Sequence, residues 1–182
     1  IGMSENVFIN LKNKSHMISA DVEIPQGGAN GVILAQAGRF GGWSLYMKDG
    51  KPTYTYNFLG LQRFTVAASQ PLAAGKATIR FEFVSDGPGM GKGGIGTILA
   101  NGQKVAEGRI ERTQCCFFSA DEGADVGVDE ATPVTEDYKE GNNKFTGKIN
   151  SVTIDLKEMK AADAGVEQHV VSETHARKQL AD

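Results

Sequence analysis

The chain has 182 residues, 40% of them hydrophobic and 23% charged, with a formal net charge of −3. That length favours one domain that hides roughly 70% of its unfolded surface, so no disulfide or structural metal is needed to hold it together. The mild acidity lacks the basic field of a nucleic-acid binder. No apolar run approaches the roughly 20 residues that cross a bilayer, so neither nucleic acid nor membrane is an expected partner. Residues 1–6 lack the basic-then-apolar pattern of a signal peptide. A chain that opens on Ile1 is expected to be cut from something longer.

Strand signals dominate the chain. Residues 7–11 open it as an apolar strand. In residues 16–24, Ile18, Ala20, Val22 and Ile24 fall on one face and Ser19, Asp21 and Glu23 on the other, until Pro25 and Gly27-Gly28 stop the run. The short apolar run Val32-Ile33-Leu34-Ala35 predicts a strand buried on both faces. Asp49-Gly50 supplies the positive φ angles of a tight primed turn between strands at 43–48 and 53–58. Pro52 leaves the loop length open. Residues 61–66 and 77–83 read as further strands, the second with Ile79, Phe81 and Phe83 inward.

Residues 86–94 form a glycine-rich loop, and Asn101-Gly102 predicts a second hairpin between 96–99 and 104–110. Residues 115–119 and 124–128 read as short strands, and 133–143 as a polar loop. A long final strand spans 145–156, its period slipping at Asn150-Ser151 as a bulge would make it do. Ten to twelve short strands with close turn signals predict an all-β fold, a two-sheet antiparallel sandwich over residues 1–157. Residues 158–182 are expected to be a frayed helix or a disordered tail.

Few motifs offer chemistry. Gly89-x-Gly91-x-x-Gly94 matches a dinucleotide fingerprint in letters only, because a hairpin rather than a helix follows it. No Gly-x-Ser-x-Gly elbow accompanies the three histidines. Adjacent Cys115 and Cys116 make neither a disulfide framework nor a four-ligand zinc site, and they leave the compartment open. The acidic run from Asp121 to Asp137 is expected to be a solvated edge and loop. Within it, Asp125 and Asp129 are the candidate calcium ligands or paired carboxylates, on one strand face two alternations apart. Trp43 and Phe58 are expected in the core. Tyr46 and Tyr54 are the candidates for an exposed sugar-stacking platform.

The strings Arg39-Phe40-Gly41-Gly42-Trp43-Ser44-Leu45-Tyr46, Tyr56-Asn57-Phe58-Leu59-Gly60, Gly108-Arg109-Ile110-Glu111-Arg112-Thr113-Gln114, Asp125-Val126-Gly127-Val128-Asp129 with Thr132-Pro133-Val134, and Phe145-Thr146-Gly147-Lys148-Ile149 through Ile154-Asp155-Leu156 resemble the C-terminal region of large bacterial arylsulfatases. The resemblance runs from about residue 6 to residue 156. It implies a concanavalin-A-like lectin/glucanase sandwich, a jelly roll, that serves as a non-catalytic accessory domain of a sulfuric ester hydrolase. The partner it implies is an upstream sulfatase catalytic domain. That family's formylglycine site, built on Cys/Ser-x-Pro-x-Arg beside a divalent metal, is absent: Phe117 and Phe118 follow the cysteines. No catalytic residue carries over and no cofactor is expected in this chain. The alternative is a carbohydrate-binding module with a lectin-like face.

Overall fold

The computed structural model describes residues 8–116, 118 and 122–156. Among them, ten strands build two five-stranded antiparallel sheets: β1 (His16–Ile24), β2 (Gly31–Gly38), β3 (Gly41–Lys48), β4 (Lys51–Phe58), β5 (Gln62–Ala67), β6 (Gly75–Ser85), β7 (Gly94–Ala100), β8 (Gln103–Ile110), β9 (Ala124–Val126) and β10 (Lys148–Leu156). The first sheet runs β5-β4-β3-β2-β9 and the second β10-β1-β6-β7-β8. No described residue is helical.

Period-2 alternation sets which side chains meet between the sheets. Ile18, Ala20, Val22 and Ile24 of β1, and Ala77, Ile79, Phe81 and Phe83 of β6, are all buried there. From the first sheet, Trp43, Leu45, Met47, Tyr54, Tyr56, Phe64 and Val66 meet them. The centre is an aromatic stack. Tyr54 lies parallel to Phe81 of the opposite sheet with ring centroids 3.5 Å apart, and Trp43 stacks on Tyr54 at 6.1 Å. The Trp43 indole N–H donates to Gln36 Oε1 at 3.0 Å, so its polar atom is satisfied inside the core.

Both predicted tight hairpins form. Asp49 and Gly50 take φ of 52° and 73°, and Asn101 and Gly102 take 51° and 80°, the left-handed pair that a primed two-residue turn requires. Pro52 sits inside β4 opposite Met47. It is tolerated because its nitrogen points towards β5 beyond the last ladder pair, while its carbonyl accepts from Ala68 N. The bulge expected near Asn150-Ser151 is present: Asp21 pairs with Ser151 and Val22 with Ile149, which leaves Asn150 unopposed. On one side of the sandwich, Gly96 and Gly108 lie opposite each other and admit Val66 of β5 from the other sheet. A Cβ on Gly108 would stand 2.9 Å from Val66 Cγ2.

Three expectations are corrected. Residues 8–11 form no strand, because Leu11 packs into the core from a turn-rich lead-in. Cys115 and Cys116 lie in bends, not in a strand. The strand expected over 124–128 stops at Val126, where Gly127 turns the chain with φ of 81°. The expected tail at 158–182 lies outside the described residues.

Because Phe81 joins the sheets through Tyr54, Phe81→Ala should cost about 3–5 kcal/mol of unfolding free energy in urea titration. A loss below about 1 kcal/mol would show that the stack is not central.

Candidate functional site

The first sheet is covered on both sides over most of its width, with only the outer side of the edge strand β5 left exposed. Its inner side meets the second sheet, and the segment 129–145 crosses the outer side of β2, β3 and β4. All of β2 after Gly31, and β3 up to Met47, is therefore buried. Tyr46 points outward from β3 but is only 1% exposed. The Tyr138 ring meets it edge-on at 5.4 Å, and its hydroxyl donates to Asp137 Oδ2 at 2.5 Å. A hydroxyl chain continues from Tyr46 to Thr55 and on to Thr65, each step 3.0 Å. Burial drives the Tyr46 hydroxyl's pKa far up, reinforced by the bond to Asp137. Burial works against the Asp137 carboxylate as well, yet the donors Lys48 and Tyr46 hold it below its ordinary value.

The expected stacking platform is thus corrected. Tyr46 lies under the 129–145 segment, and Tyr54 is 1% exposed at the centre of the core. Trp43 is in the core as expected, while Phe58 is half-buried at its margin.

Asp125 and Asp129 do not share a strand face, because β9 ends between them. Asp125 Oδ2 accepts from Glu130 N at 3.3 Å. Asp129 is 1% exposed, and its Oδ2 accepts from the Tyr138 hydroxyl at 2.7 Å and from Val134 N at 3.3 Å. Its own carbonyl takes a bond from Asn143 Nδ2, whose side-chain oxygen in turn accepts from Asp129 N. These carboxylates pin the covering segment. Burial, with Asp125 and Glu122 nearby, pushes the Asp129 carboxyl up to about 6. Its Oδ2 is already committed to two internal donors. No group of three or more His, Cys, Asp or Glu among the described residues is placed to hold a metal ion.

What remains open lies at the end of the first sheet, where two hairpin tips stand side by side. Gly38 pairs with Gly41, so Arg39 and Phe40 form a two-residue tip between β2 and β3. Phe58 pairs with Gln62, so residues 59–61 form the tip between β4 and β5. Asn57, fully buried, clamps the two together. Its Nδ2 donates to Gly38 O at 3.0 Å and to Arg39 O at 2.9 Å, and its Oδ1 accepts from Gly60 N at 2.9 Å. The clamp holds Leu59 at φ 56°, an unusual angle for leucine. Phe40 is 72% exposed, Leu61 82% and Leu59 48%. Arg112 brings a third element to the same end, its guanidinium 5.6 Å above the Phe58 ring. Its neighbour Gln114 donates its backbone N–H to the Tyr56 hydroxyl at 2.7 Å and packs directly against Gly41. Arg39 and Arg112 have no ion-pair partner among the described residues. The result is an aromatic and two aliphatic side chains at the same end of the sheet as two arginines that make no ion pair among the described residues. The sequence signal for it was available in Phe40, an aromatic in a turn rather than in a strand.

Two concave features lie elsewhere. An open cleft of about 500 Å³ separates β9 from β10, with Val126, Ile149 and Val152 as apolar walls and Lys144 at its rim. A cavity of about 20 Å³ sits between the sheets beside His16, Trp43, Tyr54 and Phe83. His16 Nδ1–H donates to Lys14 O at 2.9 Å, and its buried Nε2 has no partner. Burial lowers its pKa to about 4, only partly offset by that backbone bond.

No family model matches the chain and no curated protein matches it. Solved structures do. The CBM40 of the Ruminococcus gnavus IT-sialidase, bound to alpha2,3 sialyllactose, superposes with a TM-score of 0.54 at 14% identity over 87% of this chain and 91% of that one. Domains LG4-5 of the mouse laminin alpha1 chain give 0.57 at 12% over 88% of this chain and 42% of that one. The receptor binding domain of botulinum neurotoxin C/D mosaic serotype gives 0.54 at 13% over 91% of this chain and 38% of that one. The fold is therefore the concanavalin-A-like jelly-roll sandwich of lectin and carbohydrate-binding domains. The neighbours named here are binding domains, and nothing in them is specific to a sulfatase.

Two of the buried titratable groups set opposite pH slopes. His16, neutral in the fold, adds stability that is full above its ordinary value of 6.5 and is lost as pH falls towards 4. Asp129, raised in the fold, adds stability that is full below 3.8 and is lost as pH rises through about 6. Urea midpoints measured from pH 4 to 7 should show His16→Phe removing the acid-side loss and Asp129→Asn removing the loss on rising pH. Unchanged pH profiles in both variants would refute the assignment.

Proposed function

We propose that this chain is a carbohydrate-binding module that offers the paired hairpin tips to a glycan. The observation that carries the reading is Phe40, an exposed aromatic on a clamped tip, with Arg39 next to it in the chain and Arg112, stacked on Phe58, at the same end of the sheet. Sugar rings stack their C–H faces on aromatic rings, and guanidinium forks bind carboxylates bidentately. The pairing favours an acidic sugar. The similarity to a sialyllactose-bound module supports the same class, and with Tyr46 and Tyr54 buried the exposed Phe40 is the aromatic that supports a stacking role.

Glycan-array screening followed by calorimetry is the test. Acidic glycans should bind, and Phe40→Ala should weaken binding about tenfold, equivalent to about 1.4 kcal/mol. Arg112→Ala should reduce affinity for acidic glycans more than for neutral ones. An empty array at high protein concentration, or a Phe40→Ala variant that binds like the parent, would overturn the reading.

A second reading is an accessory domain docked on a sulfatase catalytic domain. The apolar group of Phe40, Leu59 and Leu61 favours it, since exposed apolar clusters mark contact surfaces. In a longer protein of that kind, deleting this region should lower soluble yield or activity, and unchanged behaviour would count against docking.

A further inference from the structure

The two cysteines serve neither the core nor the hairpin tips. Both are exposed and free, and their Sγ atoms face each other at 2.6 Å, a contact shorter than an ordinary thiol–thiol hydrogen bond. Their segment is anchored on both sides. Ahead of it, Gln114 N–H is bonded to the Tyr56 hydroxyl. Behind it, Phe118 packs edge-on against Tyr56 at 6.0 Å and lies under the Lys12 ammonium at 4.8 Å. Asn13 Nδ2 donates to the Cys115 carbonyl at 2.8 Å and fixes the peptide between the two residues from a third direction. The dithiol is therefore presented to solvent on a held backbone, with both sulfurs on one side.

We propose that Cys115 and Cys116 are a modification site: a vicinal dithiol that closes reversibly to a disulfide by exchange with a small-molecule disulfide and, when reduced, chelates thiol-seeking trivalent centres. In the exchange, one protein thiolate attacks a sulfur of the small disulfide, forms a mixed disulfide and releases one small thiol. The neighbouring thiolate then attacks the protein-side sulfur, closes the ring and releases the second small thiol. The protein loses two thiol hydrogens and two electrons, and the small disulfide gains both as two thiols.

Adjacency makes the second step fast, because the attacking sulfur is already in contact. It also makes the product labile. Consecutive Cα atoms stand about 3.8 Å apart, below the usual disulfide span of about 4.4–6.8 Å, so the ring is strained and easily reduced. Strained, exposed bridges are the regulatory kind rather than the structural kind. The hydrogen bond to Cys115, with burial second, raises the pKa of the Cys116 thiol. Cys116 is thus a slow target for single-thiol reagents, while the facing sulfurs suit reagents that engage two at once.

The whole chain is the right sample. The reduced protein is equilibrated with graded ratios of a small thiol and its disulfide, and intact mass is read. The expected product is a monomer lighter by two hydrogens, with both cysteines blocked to alkylation and reopened by mild reductant. Phenylarsine oxide should bind the reduced protein one to one and protect both cysteines together. Cys116→Ser, at an exposed position away from the core, should keep the thermal transition and abolish that protection. Persistent mixed-disulfide adducts or intermolecular dimers in place of the closed monomer would overturn the proposal. So would alkylation at equal rates with and without the arsenical.

Discussion

Covering β2, β3 and β4 on both sides places polar strand residues where water cannot serve them. A buried hydroxyl or amide without a partner costs about 1–3 kcal/mol, so the covering segment must bring partners with it. It brings Asp137 to Tyr46 and Lys48, Val134 carbonyl to Arg63 and Asn143 to β2 through Val32 N. Asp129 then holds the segment to itself through Tyr138, Val134 and Asn143. The acidic stretch between 125 and 137 is thus architectural. Asp125, Asp129 and Asp137 are spent on internal donors, and what reads as a solvated acidic loop is the lid of the sheet.

That lid decides where function can sit. Lectin-like sandwiches offer faces, edges and loop ends. Here the face carrying Tyr46 is closed, β9 is only three residues long, and the side where Val66 meets Gly96 and Gly108 is packed tight. The outer face of the second sheet is open and mixed: it carries charge pairs such as Lys148–Glu23 and Arg80–Glu82, which contribute little, and the exposed apolar pair Val84 and Ile95. The hairpin tips differ. They set large apolar side chains on a clamped backbone, hold one residue at a disfavoured backbone angle, and add two arginines that have no ion-pair partner among the described residues. Strain kept in place by a buried clamp such as Asn57 is the pattern of a site whose shape matters.

How much of this was legible follows the physics of each signal. Alternation is local, so β1 and β6 could be read directly, and the Asp49-Gly50 and Asn101-Gly102 turns are encoded by two residues apiece. The Asn150 bulge was readable as a slip of period. Burial of the outward side of a strand is not local. Tyr46 occupies a position that alternation calls outward, and only the return of residues 129–145, more than eighty residues later in the chain, makes it interior. For the same reason Asp125 and Asp129 look like a pair on a strand until Gly127 breaks the strand between them. The tips failed to stand out because their partners come from three elements, and sequence spacing records none of those meetings.

Rigidity at the tips also bears on what they could recognise. A binding surface made of a floppy loop loses side-chain and backbone freedom when it engages, at about 0.5–1.5 kcal/mol for each immobilised side chain. Asn57 removes much of that loss in advance by tying both turns to one fully buried side chain, and Gln114 ties Arg112's segment to Tyr56 within the core. Phe40 and Leu61 are then exposed side chains on a fixed backbone. Such an arrangement suits a shallow ligand that gains little per contact and cannot offset the ordering of a loop. A single sugar residue on the surface of a glycan is a ligand of that kind, in keeping with the proposed function.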